Sequence, residues 1–286
     1  DSEIITTHFD FHAIHETVLK LDLLGHDDPT MIRVLGDLTG LDMLNIPFDD
    51  PDTMSLFLSS KVLGYENDPL IGPTGAVAIP EFGTKFVREM LLETKPDTFA
   101  GLVRISGLSH GTDVWLGNAQ KIIAEGLGTL NDVICCRDDV TARLISAGIA
   151  PKQSFKISET VRKGYGLQPD WILLMQEHGI PDWYINSCNS VKYLFPRAHA
   201  TAYVMMAFRI AYCKVHYPLA FYATYYTIRA TGFDPLLAVQ GIDAIRDKYW
   251  EISERLEKRE PVTSVEKDTM NNLEVCYEMY LRGFSF

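Results

Sequence analysis

Apolar positions along most of this chain recur three and four residues apart, the spacing of helices packed by one face, and strict alternation is rare. The exception comes early. Val18-Leu19-Lys20-Leu21-Asp22-Leu23-Leu24-Gly25 sets Lys20 and Asp22 on one face of a short apolar run closed by glycine, which predicts a β-strand. Asp28-Pro29-Thr30 then opens a helix through Met31, Leu35 and Leu38 that Gly40 stops, with proline tolerated in the first turn. Pro47, Pro51, Pro69 and Pro73 break the next stretch and leave a short helix over 53–63. Beyond it the pattern predicts helices over 84–93, 98–106, 118–124, 138–147, 154–163, 169–178, 181–194, 199–229, 234–257 and 265–282. The expected fold is mainly α, a multi-helical body preceded by a short β segment.

No internal repeat or low-complexity segment interrupts this pattern, and the longest apolar stretch, Tyr217 to Ile228, is closed by Arg229 and is too short to span a bilayer. No membrane association is expected. The chain begins Asp1-Ser2-Glu3, with neither an initiator Met nor a basic and apolar leader, and reads as a cut inside a longer protein. Five cysteines without C-x-x-C spacing support neither a disulfide framework nor a zinc site, so a reducing, cytoplasmic setting is expected. The formal charge of −12 argues against a nucleic-acid partner until its distribution is read. Residues 1–60 carry twelve Asp/Glu against Lys20 and Arg33, whereas residues 100–217 carry twelve Lys/Arg against nine Asp/Glu. An acidic head joined to a mildly basic middle suits the handling of polyphosphates through metal ions. An ordinary acidic enzyme has the same total.

Four constellations carry candidate chemistry. Asp22, on a strand between aliphatic neighbours, is held rigidly enough to anchor a divalent metal, although a solvated aspartate on an edge strand has the same pattern. His8, Asp10, His12 and His15 could bind a metal, and they found a rival reading as a metal-dependent hydrolase. From Leu102 to Asn118, the small residues Ser106, Gly107, Ser109 and Gly111 permit close backbone approach by a ligand, His110 and the hydroxyls offer hydrogen bonds, and Trp115 offers a flat apolar wall. A glycine-rich turn between helices would look alike. Arg137, Arg143 and Arg162-Lys163-Gly164-Tyr165-Gly166 form a basic set, with the arginine fork suited to phosphate. Finally, a helix beginning near His199 puts His199, Tyr203 and Ala207 on one face with Lys214 close to the same direction. Arg197 stands at its N-terminus, and Phe195 is free to pack on a base or sugar.

Several of these runs resemble the PolC-type DNA polymerase III α subunits, the C-family replicative polymerases of bacteria. The resemblance is carried by Leu21-Asp22-Leu23-Leu24-Gly25-His26-Asp27-Asp28-Pro29-Thr30-Met31-Ile32-Arg33, Ile79-Pro80-Glu81-Phe82-Gly83-Thr84 and Ile105 to Asn118. Cys135-Cys136-Arg137-Asp138-Asp139, Val161-Arg162-Lys163-Gly164 and Phe195-Pro196-Arg197-Ala198-His199-Ala200-Thr201-Ala202-Tyr203 complete it. It runs from His8 to Phe286.

The resemblance implies a polymerase piece in three parts: the end of the palm over 1–47, nucleotide-binding fingers over 48–229, and over 230–286 the end of the fingers leading toward a duplex-binding region. It implies that Asp22 is a palm carboxylate holding catalytic Mg2+, its D-x-D partners lying before residue 1. Ser106 and Phe195 would shape the nucleotide pocket and Arg137 would stand near the triphosphate, with Arg162, Lys163, Arg197 and His199 as further contacts. His110 and Tyr203 join the candidate substrate-binding set. The implied reaction is template-directed addition of a dNTP to a primer 3′-hydroxyl by two-metal phosphoryl transfer. Primer-template DNA and the remaining polymerase segments are the implied partners, and a sliding clamp would bind through segments absent here. The piece alone is expected to be inactive, and an isolated nucleotide- or template-binding module without catalysis is the second reading.

Overall fold

The computed structural model describes residues 3–14, 17–19 and 25–286. The described residues contain helices, turns and only isolated two-residue bridges, Asp68 with Gly72 and Thr112 with Tyr193, so the mainly α expectation holds. Most of the run expected to form the first strand, including Asp22, lies outside the described residues.

In chain order the helices are α1 (Phe11–Ile14), α2 (Asp27–Thr39), α3 (Pro51–Leu56), α4 (Lys85–Thr94), α5 (Phe99–His110), α6 (Gln120–Ala124), α7 (Arg137–Ser146) and α8 (Pro151–Arg162). They continue with α9 (Pro169–Glu177), α10 (Asp182–Ser190), α11 (Arg197–His216), α12 (Pro218–Ile228), α13 (Pro235–Ala238), α14 (Ile242–Glu257) and α15 (Ser264–Leu281). Their starts follow local capping. The Thr84 and Thr98 hydroxyls accept from the Val87 and Gly101 amides, and Asp50 accepts from Thr53. Asp50 is thus the N-cap of α3, and His216 is its hydrogen-bond partner across the fold.

The short helix expected over 53–63 ends at Leu56, with a separate 3-10 turn at Lys61–Leu63, and two longer expected helices are each split. The run expected over 199–229 breaks at Tyr217, whose ψ of 57° lies outside the helical range. Pro218 follows it, disfavours helical backbone in the preceding residue and lacks an N–H to continue the ladder. The run expected over 234–257 breaks before Gly241, which sits at φ 96° and starts α14 afresh.

Helix α11 is the central post, packed by α2, α3, α5 and α12. Phe208 projects from it into an aromatic cluster with Phe48, Phe57 and Phe99, and Phe82 closes on Phe57. Phe57, Phe82 and Phe208 are wholly buried, each worth roughly 1.5–3 kcal/mol in removal of apolar surface from water. The pairs α7–α8 and α14–α15 flank this post. A buried polar knot joins α11 to α15. Lys214 donates to the carbonyls of Gly75 and Val77 and pairs with Glu278, which also accepts from Tyr65 and Tyr222. Lys214 therefore lies in the core and not on the exposed face with His199, contrary to the sequence expectation. Ala207 is likewise core and leaves no room for a ligand. The Tyr-rich stretch expected to be core is largely so, with Tyr222 and Tyr225 buried.

Candidate functional site

The site begins with the loop that Lys214 anchors. Within residues 76–83, Ala78 and Glu81 stand at φ 63° and 70°, left-handed positions that cost non-glycine residues about 1–3 kcal/mol each. Amide bonds from Phe82 and Gly83 back to the Ile79 carbonyl hold the turn, and Gly83 has backbone within 3.0–3.3 Å of where a Cβ would stand. The result is to aim Glu81, mostly buried, at helix α5, where it accepts from Ser106 Oγ at 3.2 Å and from His110 Nε2.

Burial pushes the Glu81 carboxyl up, but the bonds from His110 and Ser106 outweigh it and hold it below the usual carboxylate range. The same bond from Glu81 raises His110 against the effect of burial. Sequence reasoning placed Ser106 and His110 among the candidates but not Glu81. Its signal was a lone carboxylate between Pro80 and Gly83 in an otherwise apolar run.

From His110 a chain of rings runs outward. Its imidazole meets Phe195 edge-on at 5.8 Å, and Phe195 stacks on His199 at 5.0 Å with 25° between planes. His199 contacts Tyr203 at 4.6 Å, and Tyr203 meets His26 at 5.2 Å. Burial, and then the charge of His110, lower the pKa of His199. Pro196 immediately precedes α11 and Arg197 opens it, so His199 and Tyr203 fall one turn apart on its exposed first turns.

The cations join this line through the Phe195 backbone. The Arg137 amide donates to the Phe195 carbonyl at 3.1 Å, and the neighbouring Leu194 amide donates to the Arg162 carbonyl at 3.2 Å. Glu159 accepts from the guanidinium groups of both Arg137 and Arg162 at 3.3 Å or less. These bonds, that from Arg162 the largest, hold Glu159 below the usual range.

Behind them Asp139 gathers a second set. It accepts from the Cys135 and Cys136 amides at 2.9 and 3.0 Å, from Arg104 at 3.2 Å and from Arg197. Asp138 accepts from the Arg197 amide at 2.8 Å. Helix α7 and the start of α11 are thus fastened end to end, which brings Arg137 and Arg197 to the same rim.

Ser106, His110, Arg137, Phe195, Arg197, His199 and Tyr203 form one connected arrangement, with Arg162 and Lys163 at its α8 end. Such a rim offers several fixed cationic forks and an aromatic ladder, groups that recognise phosphate and planar rings. Beyond the Glu81–His110 pair lies a cleft of about 510 Å³, lined also by Arg229, Asn271 and Glu274. Asp28, buried at the start of α2, is paired with Arg229 at 2.6 Å.

Two expectations are corrected. Ser106 and Gly107 lie inside helix α5, and the close approach at Gly107 is made by the Cys135 backbone, not by a ligand. Trp115 is buried in the core and presents no wall to the site. Asp22 and His15 lie outside the described residues. His8, Asp10 and His12 are exposed, and among the described residues no group of three or more His, Cys, Asp or Glu side chains converges as a metal site requires. The hydrolase reading therefore gains no ligand set. All five cysteines are free and buried, and no described helix is long and apolar enough to cross a membrane.

Residues 28–170 match the family model described as the bacterial DNA polymerase III alpha subunit finger domain. The whole chain is 56% identical over 286 residues to a PolC-type DNA polymerase III of Caldanaerobacter subterraneus, of which it covers 20%. It is 56% identical over 281 residues to the PolC-type enzyme of Halalkalibacterium halodurans, covering 98% of this chain and 19% of that one. With that of Staphylococcus saprophyticus it shares 53% over 283 residues, 99% of this chain and 20% of the relative. The chain thus spans about a fifth of the length of these relatives.

Proposed function

Since the chain belongs to the bacterial DNA polymerase III alpha subunit finger-domain family, we propose that the rim from His110 to Lys163 binds the incoming deoxynucleoside triphosphate of a PolC-type replicative polymerase. Arg137, Arg162, Lys163 and Arg197 receive its phosphates. Phe195, stacked on His199 and near Tyr203, takes the base or sugar. Ser106 and His110, held by Glu81, close the inner wall. The observation that supports this reading is the bond from the Arg137 amide to the Phe195 carbonyl, which joins an arginine and a half-buried aromatic residue through adjoining backbone.

In this reading a primer 3′-hydroxyl attacks the α-phosphorus of the bound nucleotide and pyrophosphate leaves. The fingers contribute placement and charge complementarity. Primer-template DNA, the other segments of the polymerase and a clamp engaged through those segments are its partners, in the cytoplasm. The division into 1–47, 48–229 and 230–286 belongs to the same proposal. So does the assignment of Mg2+ to carboxylates that include Asp22. Among the described residues no such metal site is formed.

Calorimetric titration of the 286-residue chain with a dNTP tests the reading. Arg137→Ala and His199→Ala are expected to weaken binding, the former about tenfold or more for loss of a charge-assisted contact. Binding indifferent to both changes would refute the assignment. Primer extension by the chain alone is expected to be absent, and turnover at a rate near that of a complete PolC enzyme would overturn that expectation.

A further inference from the structure

Helix α3 and the start of α5 enclose a groove that the nucleotide reading does not touch. Phe48, Met54, Leu58 and Phe99 form its floor, Asp49 and Asp97 stand on its rim, and it holds about 530 Å³. The floor is half-buried and fixed from behind. The rings of Phe48 and Phe99 lie 4.7 Å apart, and both pack on the wholly buried Phe208. Phe99 opens α5 and His110 ends it, so a helical rise of roughly 1.5 Å per residue sets the groove ~16 Å from His110 along that helix.

The two rim carboxylates are not used by the fold. Asp49 stands one residue before the cap of α3 and Asp97 one residue before the cap of α5. In both helices the cap itself serves the open amides, Asp50 accepting from Thr53 and Thr98 from Gly101. Asp50 is further engaged by His216. Neither Asp49 nor Asp97 has a side-chain partner among the described residues, and both are exposed.

The surroundings strengthen this charge. Residues 27–60 carry seven Asp against Arg33, with Asp37, Asp42 and Asp52 exposed. No Lys, Arg or His lines the groove. Arg209 lies on the Phe48 ring at 5.3 Å, and Lys95 stands two positions before Asp97, too few cations to balance the face. Such a field attracts a cationic partner and repels both a polyanion and a second copy of this chain, which carries −12. A bare metal ion does not fit, because no third ligand converges with the two carboxylates among the described residues.

We propose that this groove docks a basic segment of another protein. One apolar side chain of the size of Leu or Phe sits on the Phe48, Met54, Leu58 and Phe99 floor, and lysine or arginine on either side of it pairs with Asp49 and Asp97. The two halves have different tasks. Exposed ion pairs add little affinity but raise the rate of encounter and fix the register. The apolar anchor displaces water from the floor and holds the segment in place.

The test is fluorescence anisotropy of a labelled peptide, a Leu-Phe pair between two runs of lysine, titrated with the full 286-residue chain. Asp49→Asn with Asp97→Asn is expected to weaken binding about fivefold at low salt and to flatten its salt dependence. Replacing the peptide's Leu-Phe by Ser-Ser is expected to weaken binding about tenfold while keeping the salt dependence. Asp243→Asn with Asp247→Asn removes equal charge from the exposed side of α14 and should leave affinity within about twofold. All four aspartates are exposed, and circular dichroism of each variant checks the fold. Triphosphate binding should be unchanged in the groove variants.

No binding of the Leu-Phe peptide would overturn the proposal. Equal binding of the Ser-Ser peptide, or equal loss in the α14 variant, would do so too, because net charge would then explain the attraction. Sedimentation showing self-association that the groove variants abolish would give the groove to a second copy. Peptide binding by this chain but not by a complete polymerase containing it would give the groove to another segment of that polymerase. Either result also defeats the proposal.

Discussion

Glu81 and His110, 29 residues apart in sequence, share one hydrogen bond that ties a left-handed loop residue to the last turn of α5. Each partner shifts the other. The raised pKa of His110 means that its protonation favours the folded state, a contribution full below its ordinary 6.5 and lost as pH rises through the folded value. The lowered pKa of Glu81 contributes above its ordinary 4.5 and is lost as pH falls through the folded value. The pair is therefore strongest between those two ordinary values. NMR titration of the imidazoles should find His110 above 6.5 and His199 below its own ordinary value. Glu81→Gln should bring His110 down, and a His110 titration indifferent to that change would contradict the pairing.

The Lys214–Glu278 pair predicts a large asymmetry between single and double substitutions. Burial brings the Lys214 ammonium down to about 8 despite the attraction of Glu278, so it is a costly group retained by three well-placed partners. Lys214→Met leaves Glu278 buried without its cation, with an expected loss of about 3–5 kcal/mol in urea denaturation. Adding Glu278→Gln should recover part of it, since the amide oxygen can still accept from Tyr65 or Tyr222. A double variant no more stable than Lys214→Met would show that the charge pairing is not what matters.

Periodicity and punctuation made most helices legible, because their caps are local: Thr84, Thr98 and Asp50 stand where the chain turns. The merged runs over 199–229 and 234–257 hid their breaks. Pro218 and Gly241 mark both, but the apolar spacing carries across them. At the site, the residues bound to their own helix were readable, such as His199 and Tyr203 one turn apart. The groups that organise them were not. Glu81, Asp139 and Glu159 act across tens of residues, and nothing local distinguishes a carboxylate that gathers arginines from one on a solvated face. Lys214 shows the reverse error, since its direction around α11 was legible but the arrival of α15 over it was not.

Gly107 supplies a purely steric prediction. A Cβ there would lie 2.5 Å from the Cys135 carbonyl oxygen, against backbone that cannot rotate aside. Gly107→Ala would normally favour a helix interior by roughly 0.5–1 kcal/mol. Here it should instead destabilise, by about 1–3 kcal/mol for overpacking, and should push the Cys135–Arg137 segment away from α5. Thermal denaturation together with dNTP titration measures both effects, and a variant more stable than the parent would show that the two segments are not in contact.

Asp139 is the residue on which the cationic rim turns, because four donors from three separate segments meet its carboxylate. Its oxygens divide the work: Oδ2 takes the Cys135 and Cys136 amides at the start of α7, and Oδ1 takes the Arg104 and Arg197 guanidinium groups. Asp139→Asn keeps the shape but has one acceptor oxygen, so either the α7 start or the two arginines must lose their partner. The favoured orientation keeps that oxygen on the two amides, which leaves an NH2 facing Arg104 and Arg197. Arg104 retains the carbonyls of Leu130, Asn131 and Val133, whereas Arg197 loses its one side-chain carboxylate and swings from the rim. Stability should fall by about 1–3 kcal/mol for the unpaired buried groups. Triphosphate affinity should fall as Arg197 moves, while Asp138, which holds the Arg197 amide, keeps the backbone in place. A crystal structure of the variant with Arg197 unmoved and dNTP affinity intact would refute this division of labour.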